Sequence, residues 1–246
     1  MEKSKKSTKS FKNRTGKLRA KLLSSYYGNP ARDLTLICIT GSTGKSTVAH
    51  FIHEILNAAD QRVAILSSDT DFKVSVLHKF LSNAWKSGAT HAVITAPPEA
   101  LKRDVFYGLP INVAIITDFI PASLNSLSKE EYLSASSTLF TMHPETVILN
   151  RDDAHYDDFA KFTGIKQTLT YGATTGSDLH ILSSELYKKG TEARFNFKSK
   201  PFTVASFIPG EPTISYMAAA ATVASSLNIN PEIITEGISN YQPENN

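Results

Sequence analysis

Short apolar runs rich in β-branched residues alternate along the chain with longer stretches whose apolar positions recur at helical spacing. These runs predict strands over 36–39, 62–68, 91–95, 111–117, 145–150 and 167–171. The intervening stretches predict helices over 46–59, 74–84, 128–140 and 154–162. Because the strands look buried and are separated by helices, the pattern predicts an α/β fold with a doubly wound, mostly parallel sheet.

The pattern changes after Gly172. The segments 178–183, 193–197 and 202–208 alternate apolar and polar residues, which is typical of antiparallel strands with one face in water. Two helices follow, over 213–227 and over 231–241. We therefore expect a small antiparallel sheet and two C-terminal helices in addition to the parallel sheet.

The first predicted strand leads into Thr-Gly-Ser-Thr-Gly-Lys-Ser-Thr, residues 40–47. The two glycines permit a tight turn whose N–H groups face an anion, and the helix that follows adds the positive end of its dipole. The lysine supplies positive charge and the serine after it supplies a hydroxyl ligand for Mg²⁺. The usual phosphate-loop spacing would place a further glycine at position 39, which is Ile39 here. We predict that ATP, with Mg²⁺ on Ser46, binds to Gly41, Ser42, Thr43, Gly44, Lys45, Ser46 and Thr47.

Polar residues also follow the other strands of the parallel sheet, at 68–71, 95–99, 117–118 and 150–153. Ligands of such sheets gather at the carboxyl ends of the strands, so carboxylates in these segments are candidate partners of a Mg²⁺–nucleotide. Asp118 and Glu99 are the candidate metal ligands, and Lys45 and Asp118 are the candidates for a catalytic role. Asp152 or Asp153 also fits a helix cap, and the pattern leaves both roles open.

Basic residues concentrate at the N-terminus. Residues 1–21 hold nine Lys or Arg against one acid, a net charge of +8, whereas the remainder carries 17 basic and 22 acidic residues. We expect residues 1–13 to be disordered and a short basic amphipathic helix to begin at Arg14. This divides the chain into a basic arm, 1–33, and a domain, 34–246. The arm fits a solubilising tail or adsorption to an anionic surface, either membrane or nucleic acid.

The composition points to a reducing compartment. Cys38 is the single cysteine, so the chain cannot form an intramolecular disulfide. No apolar run approaches the roughly 20 residues that span a bilayer, and the N-terminus lacks the apolar region of a secretory signal. We therefore expect a cytoplasmic protein.

The order of motifs over residues 34–241 resembles the central ATP-binding domain of the Mur ligase family. The loop is similar to the Thr-Gly-Thr-Asn-Gly-Lys-Thr-Thr of Mur ligases and folylpolyglutamate synthetases. Other matching segments follow in the family's order: Glu-Tyr at 131–132 with Leu-Phe at 139–140, Val-Ile-Leu-Asn-Arg-Asp-Asp at 147–153, Leu-Thr-Tyr-Gly at 169–172 and Ile-Pro-Gly at 208–210. The sequence looks closest to the ligase type that adds the third peptide residue of peptidoglycan precursors.

The resemblance implies an amide ligase that uses ATP and Mg²⁺ to activate a carboxylate as an acyl phosphate, which an amine then attacks. It also implies that Asn150 and Asp153 contact the nucleotide. The resemblance also implies that the family's second metal site is degenerate in this chain, because Thr95, Ser123 and Ser136 stand where the family has a Glu, a His and a carbamylated lysine. Neutral hydroxyls are poor substitutes for charged ligands of Mg²⁺.

We expect two family domains to have no counterpart in this chain: the N-terminal domain that holds the UDP-sugar and the C-terminal domain that closes over ATP. Three functions stay open. The chain is an ATP- and Mg²⁺-binding domain that is weak or inactive as a ligase alone, either a pseudoenzyme or part of a split ligase whose partner protein brings the missing domains. Alternatively it is an active ligase or ATPase with a metal site rebuilt from Asp118, Asp71 or Glu99. The third alternative is an interaction module that docks through its basic arm.

Overall fold

The computed structural model describes residues 16–67, 72–119, 127–162 and 166–243. The predicted disorder of residues 1–13, the candidate ligand Asp71 and the substitution at Ser123 lie outside these ranges.

One nine-stranded sheet forms the centre of the fold. Its strands are β1 (Thr35–Thr40), β2 (Val63–Leu66), β3 (His91–Thr95), β4 (Val113–Ile116), β5 (Thr146–Asn150), β6 (Gln167–Gly172), β7 (Leu179–Tyr187), β8 (Gly190–Phe197) and β9 (Lys200–Ser206). They lie in the order β2-β3-β1-β4-β5-β6-β7-β8-β9. The pairs from β2 to β7 are parallel, and β7, β8 and β9 pair antiparallel.

The mixed sheet confirms the predicted fold class. The three alternating segments are antiparallel strands, but they continue the parallel sheet instead of standing apart from it. The junction is a short parallel pairing of β6 with β7, in which Tyr171 lies opposite Leu179 and Gly172 opposite His180.

Helices cover both faces of the sheet. They are α1 (residues 16–26), α2 (Lys45–Ala58), α3 (Val74–Lys86), α4 (Pro98–Lys102), α5 (Lys129–Phe140), α6 (Tyr156–Ala160), α7 (Pro212–Ser226) and α8 (Pro231–Asn240), with a 3₁₀ turn at Pro30–Asp33. In β1, Ile37 and Ile39 pack with α2, α7 and α8, whereas Leu36 and Cys38 pack with α3 and α5 on the other face. The alternation of β1 between two apolar cores confirms the doubly wound arrangement.

Local sequence accounts for several helix ends. Ser128 and Glu131 form the predicted capping box at the start of α5, with the Glu131 N–H donating to Ser128 Oγ at 3.2 Å. Helix α4 was not predicted from the sequence; it has Pro98 in its first turn, where the missing N–H of proline costs nothing. Within the described residues, no helix combines the length and hydrophobicity needed to cross a bilayer.

Candidate functional site

The loop between β1 and α2 passes so close to its neighbours that two positions require glycine. Gly41 has a φ of 136° and Gly44 a φ of 73°. A Cβ on Gly41 would lie 2.0 Å from Thr117 Oγ1, and a Cβ on Gly44 would lie 2.1 Å from the ring of Tyr216 in α7. Glycine is therefore required at both positions for two reasons: the backbone has a positive φ, and there is no room for a Cβ.

The N-terminus of α2 opens onto a cavity of about 460 Å³ that is lined by residues 41–47. Gly44 is the N-cap residue, no side chain caps the helix, and its first turn contains no acidic residue. The first N–H groups of a helix have no partners within the helix, so those of Ser46 and Thr47 can donate to an anion. The Ser46 and Thr47 hydroxyls lie in this first turn. Residues 41–47 therefore form a cradle that fits a phosphate group together with a Mg²⁺ ion on Ser46.

Lys45 lies across the loop. Its Nζ donates to the carbonyl oxygen of Gly41 at 2.9 Å and to that of Ser42 at 3.2 Å. These contacts hold a positive charge at the entrance of the cradle, where it complements phosphate oxygens.

Asp118 follows β4 and fixes the conformation of the loop. Its Oδ1 accepts from Ser42 Oγ at 3.0 Å and from the Thr43 N–H at 2.9 Å, and its Oδ2 accepts from Thr43 Oγ1. The Ser42 N–H also donates to the Asp118 carbonyl at 3.1 Å. These contacts give Asp118 a positioning role in the loop, while its role as a metal ligand or in catalysis stays a prediction.

A buried network supports the loop from below. Thr117 Oγ1 donates to the Thr43 carbonyl at 2.7 Å, and the Thr117 carbonyl accepts from Tyr171 Oη at 2.8 Å and from Asn150 Nδ2 at 3.2 Å. Burial, with the nearby charge of Asp118, raises the pKa of Tyr171 well above its ordinary value, so that it stays a neutral donor. The ends of β4, β5 and β6 thus converge beneath the phosphate loop.

Asp153 anchors backbone groups at this edge. Its Oδ2 accepts from the Phe119 N–H at 2.6 Å and its Oδ1 from the His155 N–H at 2.7 Å, just before α6. Burial raises the pKa of Asp153, although the two amide hydrogen bonds oppose this shift. The helix cap that the sequence also allowed for Asp152 or Asp153 was wrong, because His155 is the N-cap residue of α6 and no side chain caps this helix. Nucleotide contact by Asn150 and Asp153 stays a prediction.

Glu99 and Tyr132 also line the cavity, together with Pro97 and Pro98. Glu99 lies in the first turn of α4, so the candidate ligands Ser46 and Glu99 line the same space. The Tyr132 side chain is buried, and its hydroxyl has no hydrogen-bond partner among the described residues. Burial and the charge of Asp118 raise the pKa of Tyr132, so this hydroxyl is neutral.

The substituted metal-site positions lie in the interior. Thr95 and Ser136 are both fully buried, and Thr95 Oγ1 donates to the Leu66 carbonyl at 3.4 Å. Across the ranges that the structure describes, no group of three His, Cys, Asp or Glu side chains is arranged to hold a metal ion.

One contact of the site could not have been predicted from local sequence. Tyr216 packs on Gly44, and its hydroxyl lies 3.3 Å from Thr43 Oγ1, although it comes from the alanine-rich α7. No pattern in α7 distinguishes this tyrosine from an ordinary packing residue.

Comparisons with known proteins agree with this geometry. Residues 39–224 match the Mur ligase middle domain. The UDP-N-acetylmuramoyl-L-alanyl-D-glutamate–2,6-diaminopimelate ligase of Clostridium tetani is 28% identical over 229 residues, which is 87% of this chain and 47% of that protein. The chain therefore spans about half the length of this curated relative.

Two solved structures share the fold. One, of a UDP-N-acetylmuramoyl-L-alanyl-D-glutamate–2,6-diaminopimelate ligase, superposes with a TM-score of 0.85 at 21% identity and covers 96% of this chain and 51% of the other. The other, MurF ligase of Thermotoga maritima in complex with ADP, gives a TM-score of 0.73 at 16% identity and covers 91% of this chain and 52% of the other. The family match extends over most of the chain, from the last residues of β1 through α7, and on this evidence the chain belongs to the Mur ligase family as a middle domain.

Proposed function

We propose that this chain binds ATP with Mg²⁺ at residues 41–47 and is weak or inactive as an amide ligase on its own. The uncapped N-terminus of α2, opening with Lys45 onto the cavity, is the observation that carries nucleotide binding. The cavity volume falls within the range of roughly 300–1,000 Å³ that is usual for small-molecule sites. The ADP complex of a MurF ligase with the same fold also supports a nucleotide here.

Each part of the loop has a role in this binding. The amides of the first turn of α2 would hold phosphate oxygens and Lys45 would neutralise their charge. Ser46 and Glu99, which line the same cavity, would hold Mg²⁺ directly or through water. When bound, the metal lowers the charge on the transferred phosphoryl group. Asp118 holds Ser42 and Thr43 so that the cradle is formed before ATP arrives.

The proposed weakness as a ligase rests on the substituted residues. Activation of a carboxylate brings a second anion next to the phosphoryl group, and this demands further positive charge. The buried Thr95 and Ser136 supply only neutral hydroxyls where the family is expected to bind a second metal ion. Ligase domains supplied by a partner protein would enclose the reaction space and exclude water from it.

An active ligase with a rebuilt metal site is the second candidate function, and the position of Glu99 on the cavity wall favours it. Both candidate functions include ATP binding, and they differ in whether the chain catalyses amide ligation.

The experiment is calorimetric titration with ATP, with and without Mg²⁺, followed by a phosphate-release assay with nucleotide-sugar peptides and amino acids. Lys45→Ala should weaken ATP binding by about 2 kcal/mol or more, roughly 30-fold, because a charge-assisted contact to phosphate is lost. Lys79→Ala, which removes an exposed lysine of α3, is the matched control and should leave the affinity unchanged. Unchanged affinity in folded Lys45→Ala would contradict the phosphate site, and robust substrate-dependent turnover would establish the active ligase instead.

A further inference from the structure

Helix α1 presents an apolar stripe to solvent. Leu18, Leu22 and Tyr26 are 58%, 62% and 80% exposed, and their spacing of four places them on one face of the helix. A shallow apolar groove runs along this face and ends at Ser75 of α3. Three large apolar side chains in register along one exposed helix face are unusual for a surface that contacts only water.

The opposite face of α1 fixes the helix on the domain. Ala20 is fully buried in the core beside α3, and Ser24 Oγ donates to Asn29 Oδ1 at 2.9 Å. The Lys17 ammonium lies 4.8 Å from the ring centre of Tyr107. Since the helix is held in this orientation, the apolar stripe cannot turn inward without breaking these contacts.

Cations flank the stripe on both sides. A rotation of about 100° per residue places Arg19 on one side of the stripe and Lys21 on the other, whereas Lys17 lies farther round, toward Tyr107 of the domain. All three side chains are exposed. The chain adds six further Lys or Arg within residues 1–15, against Glu2 alone. An outward apolar stripe with a cation on each side is the pattern of helices that lie in the interface of a bilayer.

We propose that this face of α1 binds the surface of an anionic lipid bilayer, with Leu18, Leu22 and Tyr26 inserted among the acyl chains and the cations on lipid phosphates. The net charge of +8 over residues 1–21 supplies the complementarity. Nucleic acid would satisfy the cations but would leave the two leucines without an apolar partner, so the exposed leucines favour lipid. The remaining chain, with a net charge of −5, would orient the domain away from the bilayer.

Vesicle sedimentation of the full chain tests this proposal, with phosphatidylcholine vesicles that contain or lack phosphatidylglycerol. We expect binding only to the anionic vesicles, with a steep fall as salt is raised. Leu18→Ser/Leu22→Ser should lower the affinity at least roughly tenfold, because two apolar side chains no longer insert. Leu182→Ser/Leu186→Ser is the matched control, since both leucines of β7 are also exposed, at 46% and 55%, and it should bind like the unchanged chain.

Two further measurements complete the test. The ATP affinity and the midpoint of thermal unfolding should be unchanged in Leu18→Ser/Leu22→Ser, which separates this proposal from the nucleotide site. If that variant fails to fold, Tyr26→Ser replaces it, because this side chain is the most exposed of the stripe. Absence of binding to anionic vesicles, or undiminished vesicle binding by the leucine variant, would overturn the proposal. Binding to single-stranded RNA but not to vesicles would do the same and would assign the arm to nucleic acid.

Discussion

Replacing Asp118 by asparagine removes a charge from beneath the phosphate loop while preserving the size of the side chain. The aspartate accepts three hydrogen bonds from Ser42 and Thr43, residues that lie 75 or more positions away in sequence. In Asp118→Asn, one amide oxygen can still accept from Ser42 Oγ and the Thr43 N–H, and the amide nitrogen can donate to Thr43 Oγ1 with the hydroxyl reversed. The substitution therefore separates the geometry of the loop from its charge.

The magnitude follows from the difference between charged and neutral acceptors. A hydrogen bond to a charged group contributes about 1.5–3 kcal/mol and a neutral one about 0.5–1.5 kcal/mol, so three fully desolvated contacts would lose roughly 3–4.5 kcal/mol. Asp118 is only half-buried, and water recovers part of this loss. We expect Asp118→Asn to lower the free energy of unfolding by about 1–2 kcal/mol, and Asp118→Ala to lower it by about 2–4 kcal/mol, because the Thr43 N–H then loses its acceptor.

Urea unfolding and ATP titration measure the two effects. Without Mg²⁺, Asp118→Asn should bind ATP as tightly as the unchanged chain or more tightly, since a negative charge next to the phosphates is gone. Mg²⁺ should then strengthen binding in both proteins to the same extent. If Asp118→Asn abolishes the Mg²⁺ effect while leaving Mg²⁺-free affinity unchanged, Asp118 is a metal ligand and the positioning role is refuted. Unchanged stability would refute the contribution assigned to the hydrogen bonds.

Two other substitutions probe the scaffold. Gly237→Ala would place a Cβ 2.3 Å from the Cα of Ile55, where α8 crosses α2. In urea titration, this substitution should lower the free energy of unfolding by about 2–4 kcal/mol. ATP affinity should change little, because Ile55 lies about 15 Å along α2 from the loop. Burial raises the pKa of Asp152, but hydrogen bonds from Thr174 Oγ1 and from the N–H groups of Ala173 and Thr174 outweigh it, so the folded pKa lies below the ordinary value of 3.8. The ionised form therefore stabilises the fold above that value, and its contribution is lost as the pH falls through the folded pKa. Asp152→Asn should lower stability at neutral pH and flatten the loss of stability below about pH 4. An acid unfolding curve parallel to that of the unchanged chain would contradict this.

Local sequence predicted the parts of the site that are themselves local. Residues 40–47 contain the end of the strand, the two glycines, the lysine and the start of the helix. The conformation of this loop can therefore be predicted from neighbouring residues alone. The role of Asp118 depends on the pairing of β4 with β1, which brings Thr117 beside Thr40 at the end of the two strands. A carboxylate after a strand was recognisable, but its partners in the loop were not.

Periodicity has a similar limit in the sheet. The alternation of apolar and polar residues in β7, β8 and β9 indicates that one face of these strands is exposed to solvent, and it correctly predicted antiparallel pairing. It does not indicate which strand lies next to β7. That neighbour is set by a two-residue parallel register at Tyr171 and Gly172. Helix α4, with five residues, is too short for a helical period to be visible in sequence.

Cys38 gives the chain an internal reporter of opening. It is fully buried in the interior strand β1, two residues before the phosphate loop begins, and burial raises its pKa to about 12. The thiolate is the reactive form, so a thiol reagent can modify this side chain only when β1 is exposed. Because Cys38 is the single cysteine, the labelling rate reports that event alone, without mutation. If β1 and the loop open together, saturating ATP will slow labelling by the factor by which it stabilises the closed state. The labelling rate of the Cys38 thiol will then measure how strongly the nucleotide opposes the opening of β1.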